Sequence, residues 1–327
     1  MKRFLVISTL AFGLSALYGK ARASCGAAVC PLNTHHGFSR GQLLLQLSHE
    51  YINENQINVG SKKSFVGALP NPHNEVETKN QRTLLQLQYG LSNALGINAE
   101  LPFIHREHSH IEAGKTKNFN FDGFGDMVVL GHYGRTFGDI ISSSRLDISA
   151  GVKLPTGRTG ATNTTGDEKA EVTIQPGTGS WDGILGIDLS LPLFSLKSLT
   201  GRLYGHLPLN ASVSYRLNGK GTSDYQLGKQ LMTHLGTEYQ IFPKFSLLFQ
   251  ANGRWQDFAN TGTTGEFRSN TGGTWIFLSP GASFQFNHAF SAYSYAQVPV
   301  YQKVNGIQQV AKLNLQAGLS ANVTLLK

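Results

Sequence analysis

The stretch Arg145-Leu-Asp-Ile-Ser-Ala-Gly-Val-Lys-Leu154 decides the fold. Leu146, Ile148, Ala150, Val152 and Leu154 fall on one parity, and Arg145, Asp147, Ser149 and Lys153 on the other. A period of two belongs to an extended strand, whose side chains alternate between two faces; a helix would scatter both sets around its axis. The stretch also has about the length that a tilted strand needs to cross a bilayer, about 9–11 residues.

The pattern recurs in both directions. Leu43, Leu45, Leu47 and Tyr51 oppose Gln42, Gln46, Ser48 and Glu50. Leu95, Ile97, Ala99, Leu101 and Phe103 oppose Asn98, Glu100 and Arg106. Near the end, Leu313, Leu315, Leu319 and Val323 oppose Lys312, Asn314, Gln316 and Asn322. About twelve such segments can be read, an even number, as in single-chain bacterial barrels. A soluble sandwich alternates too, with its apolar faces turned inside. Three features favour a membrane barrel.

Connections tend to alternate in length. Those near 52–78, 105–123, 155–178 and 257–273 are long, and those near 92–93, 241–244 and 287–289 are tight. Short periplasmic turns and long extracellular loops are the barrel rule. Aromatic residues of the apolar face gather at strand ends: Tyr89, Tyr133, Tyr239, Phe245 and Phe286 at the inner rim, and Tyr51, Phe103, Trp181, Tyr215 and Trp255 at the outer. Two such girdles suit rings that prefer the bilayer interfaces. The polar face carries mid-strand charges of both signs, which a dry core would not hold without partners. The expected fold is therefore all-β: a transmembrane, antiparallel up-and-down β-barrel of about twelve strands.

Composition agrees. The 327 residues include 37 glycines and only 15% charged residues, where soluble domains average about 25% charged. Mean hydropathy is slightly negative. No apolar run of about 20 residues, as a helical span needs, occurs outside the N-terminus.

The first residues address the chain. Lys2 and Arg3 precede an apolar run from Phe4 to Tyr18, and Ala21-Arg22-Ala23 forms a small-x-small site. This predicts a signal peptide over 1–23, cleaved after Ala23. Lys2, Arg3, Lys20 and Arg22 carry four of the eight net positive charges, so the basic balance overstates the mature chain. No basic stripe is present, and no nucleic-acid partner is implied. A periplasmic segment over 24–40 follows, with Cys25 and Cys30 expected to form a local disulfide in an oxidising compartment. The barrel is expected over 41–327, and the location is the outer membrane of a Gram-negative cell.

Four motifs carry a family resemblance: Gly123-Phe124-Gly125-Asp126, Leu154-Pro155-Thr156-Gly157, Gln175-Pro176-Gly177-Thr178-Gly179-Ser180-Trp181-Asp182, and Pro299-Val300-Tyr301-Gln302 followed by Asn305-Gly306. In this order, over about 120–327, the chain resembles the outer-membrane proteins grouped as the "MetA-pathway of phenol degradation" family. The resemblance implies an outer-membrane barrel passing small, often hydrophobic or aromatic, compounds. The chain ends Leu325-Leu326-Lys327, not on the aromatic residue usual for substrates of the barrel assembly machinery, its expected partner alongside outer-membrane lipid.

The expected function is a channel for passive uptake or export of small solutes. Its pore-lining candidates are Glu100, Arg145, Asp147, Lys153, Asp188, Arg216, Glu238 and Arg254, because lumen side chains set size and charge preference. Their mixed signs leave an alternative in which they pair and close a structural or adhesive barrel. His105, His108 and His110, near Glu112, offer imidazoles suited to Zn²⁺, Cu²⁺ or Ni²⁺. A loop can bring all three together, whereas a strand would split His105 from His108. The bland reading is a solvated polar loop, and no cofactor is expected. A lipid hydrolase would need a hydroxyl beside a histidine. The chain has no Gly-x-Ser-x-Gly elbow, so no enzyme is expected.

Overall fold

The computed structural model describes residues 39–70, 74–138, 143–197 and 203–325. The predicted signal peptide, and Cys25 and Cys30 with their predicted disulfide, lie outside the described residues.

Among the described residues, fourteen strands form one antiparallel sheet. Twelve make the wall: β1 (Gln42–Val59), β3 (Asn74–Gly90), β4 (Leu95–Glu112), β6 (Val128–Phe137), β7 (Ser144–Lys153), β8 (Asp182–Lys197), β9 (Leu203–Asn218), β10 (Gln230–Phe242), β11 (Phe245–Gln256), β12 (Gly273–Gln285), β13 (Phe290–Val304) and β14 (Ile307–Thr324). Each pairs with the next, and β14 returns to β1 from Gln42–Thr324 to Val59–Ile307. The sheet therefore closes on itself as an up-and-down barrel. Two short strands, β2 (Lys62–Ser64) and β5 (Lys115–Phe124), pair only with β1 and β4.

The alternation sorts as expected, with the apolar set outward. On β7, Ile148 is 51% exposed while Asp147 beside it is 0% exposed. Leu185, Ile187, Val213, Leu235, Phe249 and Leu315 also face out. Tyr133 and Phe286 mark the inner belt and Phe103, Trp181 and Trp255 the outer one, Phe103 meeting Phe124 edge-on at 5.3 Å. Lipid contact, which an isolated chain lacks, is what makes such outward exposure stable.

Two expected loops are in fact strand. β1 runs on to Val59 and β3 begins at Asn74; β4 runs on to Glu112 and turns directly into β5. Eighteen residues at about 3.3 Å each give roughly 60 Å of strand, or about 45 Å of height at a tilt of about 40°. The hydrocarbon core takes about 30 Å, so this side of the wall stands above the membrane.

The wall is split locally between β13 and β14. The β13–β14 ladder runs only from Phe290–Ala321 to Gln297–Asn314. Above that level β13 pairs with β12 and β14 pairs with β1. The side chain of Gln302 reaches across to donate to the Ala311 carbonyl at 3.0 Å. Behind the split, Trp275, Phe277, Val304 and Val310 pack as a buried apolar cluster.

Candidate functional site

The segment between β7 and β8, residues 154–181, folds inward over the outer mouth. Its apolar residues Ala161, Ala170 and Ile174 pack on Phe119 and Phe121 of β5. Val172 reaches a second cluster, Tyr225, Leu227 and Ala259, from the β9–β10 and β11–β12 connections. Gln175 fastens the segment to itself: its amide donates to the Ala161 carbonyl (3.0 Å) and the Ala170 carbonyl (2.6 Å), and accepts from Ala161 N–H (2.8 Å). Arg106 of β4 donates to the Ile174 carbonyl and to Asn80, and Asn80 in turn donates to Glu54 at 3.1 Å.

Three of the four quoted motifs meet where this segment leaves and rejoins the wall. Asp126 is the junction. Its Oδ1 accepts from Gly157 N–H (2.9 Å), and its Oδ2 from Thr178 N–H (2.9 Å), the Thr178 hydroxyl (2.8 Å) and Lys153 Nζ (2.7 Å). Lys153 also lies 3.2 Å from Asp182, which accepts from Arg216 Nε at 2.8 Å and from Ser180 Oγ at 2.8 Å. Lys153 and Arg216 are each 1% exposed, so two cations and two carboxylates neutralise one another out of water. An isolated charge there would be strongly disfavoured. The glycines are set by contact: a Cβ on Gly177 would lie 2.5–2.6 Å from the backbone of Gly157, nearer than such atoms approach.

All eight charged candidates stand on the inward face. Glu100 accepts from Asn98 (3.1 Å) and Gln86 (3.4 Å). Arg145 pairs with Asp147, whose neighbour across the β7–β8 ladder is Asp188. Asp188 accepts from Ser212. Glu238 accepts from Ser283 at 3.4 Å. Arg254 stacks over the Trp275 ring at 4.5 Å and donates to Gln256. Glu50 and Arg82, not among the candidates, form a further buried pair at 2.8 Å. Most of these groups therefore have a polar or charged neighbour on the wall.

The inward face is also less polar than alternation suggests. Leu84, Ile104, Val128, Leu130, Ile184, Met232 and Phe277 are buried there. Each has an apolar chain neighbour, such as Phe103 before Ile104 and Leu231 before Met232, which conceals it in a parity reading.

The three histidines do not converge. Because β4 continues through them, His105 faces outward and sits 2.6 Å from Asp122, while His108 and His110 turn inward. The split follows from strand parity. Glu171, from the infolded segment, takes the place expected for a third ligand, and Glu112 at the strand end does not. Outside the membrane, hydrogen bonds from Thr165 and Asn163 hold the Asp167 carboxyl below its ordinary range.

No protein-family model matches the chain, and no curated protein matches it. Solved structures do. An outer membrane channel from Pseudomonas putida F1 superposes with a TM-score of 0.63 at 11% identity, over 88% of this chain and 97% of that one. The chain shares that channel's fold. A Pseudomonas aeruginosa FadL homologue (TM-score 0.42, 9% identity, 88% of this chain and 91% of that one) and the P. putida toluene transporter TodX (0.41, 8%, 88% and 91%) are more distant.

Proposed function

We propose that this protein is a Gram-negative outer-membrane channel for the passive passage of small solutes, hydrophobic and aromatic compounds included. The observation that carries the reading is the closed barrel itself, with an apolar outer face, two aromatic belts and a charged inner face. The fold shared with a P. putida outer membrane channel supports it. Glu100, Arg145, Asp147, Lys153, Asp188, Arg216, Glu238 and Arg254 are the proposed pore lining. Kinship with the MetA-pathway of phenol degradation family is part of the same proposal and rests on the motifs Gly123–Asp126, Leu154–Gly157 and Gln175–Asp182. Export by a cleaved signal peptide and insertion by the barrel assembly machinery into outer-membrane lipid belong to the same proposal.

Apolar solutes are favoured by the split between β13 and β14 and the apolar cluster behind it. A solute entering from the mouth would meet Trp275 and Phe277 there, beside the Arg254 guanidinium stacked on Trp275, and could leave sideways at the outer edge of the bilayer. The second reading, a closed structural barrel, is favoured by the pairing of wall charges. Planar-bilayer recording and uptake of an apolar fluorophore into proteoliposomes separate the two. Dye entry above protein-free vesicles supports the channel, with or without ionic conductance. Neither conductance steps nor dye entry would leave the structural barrel. Heat-modifiable gel migration in outer-membrane fractions tests fold and location together.

A further inference from the structure

Above the membrane, β4 holds His108 and His110 two residues apart on its inner face. A His-x-His pair on a strand puts both imidazoles on one side, with Cα atoms about 6.6 Å apart. Here His108 Nε2 lies 3.0 Å from His110 Nδ1, and Glu171 Oε1 lies 3.5 Å from that same Nδ1. The ligand atoms of the three residues all fall within 4.8 Å of one another. Two ligands of a tetrahedral ion with bonds of about 2.0–2.1 Å sit about 3.3–3.4 Å apart. Both measured separations are within a few tenths of an ångström of that.

The surroundings prepare the rings. Thr78 donates its hydroxyl proton to Gln309 Oε1 at 2.6 Å, so at 2.8 Å from His108 Nδ1 it accepts. With Nδ1 beside Thr78, His108 turns its Nε2 toward His110. Metal-bound histidines are oriented in this way by a partner on the other nitrogen. Phe119 packs 5.5 Å from the His110 ring and 6.0 Å from the His108 ring, giving the site a dry wall. Two imidazoles and one carboxylate select zinc-class ions over Mg²⁺ or Ca²⁺, which take oxygen ligands.

We propose that His108, His110 and Glu171 bind one divalent transition-metal ion of the zinc class. The ion joins β4, a fixed part of the wall, to the infolded segment that carries Glu171. It is a clamp on the outer mouth, and it stands whether or not the barrel conducts.

The test uses the full refolded barrel, stripped with a chelator and titrated with Zn²⁺ by calorimetry. One equivalent should bind. His108→Ala and His110→Ala should each weaken binding at least a hundredfold, Glu171→Gln at least tenfold, and Thr78→Val about tenfold through ring orientation. His105→Ala, on the opposite face, should change nothing. Co²⁺ on the unaltered protein should give the intense visible bands of four-coordination, a readout that needs no variant. Heat-modifiable migration checks that each variant folds. Zn²⁺ at a hundred times its Kd should slow tryptic cleavage at Lys169 about tenfold, the factor by which the docked Glu171 tightens binding. Binding no tighter than in the His108→Ala/His110→Ala double variant, or equal loss on His105→Ala, overturns the site. Saturable binding with unchanged cleavage overturns the clamp.

Discussion

Replacing Asp126 by alanine should release the infolded segment while leaving the barrel closed. The side chain makes three hydrogen bonds to that segment, from Gly157 N–H, Thr178 N–H and the Thr178 hydroxyl. At a net contribution of about 1 kcal/mol each, their loss weakens docking by about 3 kcal/mol. Lys153, the remaining partner, keeps Asp182 at 3.2 Å and Ser180 at 3.0 Å but then shares that one carboxylate with Arg216, and the uncompensated positive charge adds to the drive to undock. About 1.4 kcal/mol is a factor of ten, and the undocked population should rise about a hundredfold. Limited trypsin digestion in detergent reads this at Arg158 and Lys169, because cleavage slower than reclosing follows the open population. Mass spectrometry should locate the cuts within 154–181, and the clipped barrel should still migrate as a folded species. A rise of less than threefold would refute the assignment of Asp126 as the latch. Loss of the folded band would show that the junction supports the wall as well.

Further substitutions probe other levels. Gly177→Ala should strain the contact with Gly157 by about 1–3 kcal/mol and speed the same cleavage about tenfold or more. Arg216→Ala removes one of two cations beside Asp182 and should cost about 3 kcal/mol, the low end for a broken buried pair because Lys153 remains; the urea midpoint followed by tryptophan fluorescence measures it. Ile187→Arg places a charge on the lipid face and should cost about 2–4 kcal/mol near the bilayer centre, read from folding into vesicles over a urea series. An isosteric change on the inner face, Ser149→Ala, should leave that folding titration within about 0.5 kcal/mol.

Alternation made the wall legible because a strand shows its two faces at every step. Leu146 to Val152 could be divided without any partner in view. Parity says less about where a strand ends once it leaves the lipid. His105 to Glu112 are polar on both faces, so the extension of β4 reads as loop, although it carries the register that separates His105 from His108. Ile184, with Leu185 beside it, illustrates a different loss: two adjacent apolar residues hide which one points inward. The infolding of 154–181 depends on contacts between positions far apart in the chain, such as Arg106 with Ile174 and Asp126 with Thr178. No local period encodes those. The glycines and Asp126 were visible as motifs, but their common location was not.

The anchors of the infolded segment are unevenly distributed around the ring. Arg106, Asp126, Lys153, Asp182 and Arg216 all belong to the arc from β4 to β9. The β13–β14 split lies on the other side. The cylinder is thus mechanically anisotropic, cross-braced along one arc and seamed along the other. Lateral pressure from the bilayer should ovalise it along a fixed axis, with strain concentrating at the seam and the braced arc turning as a stiff plate.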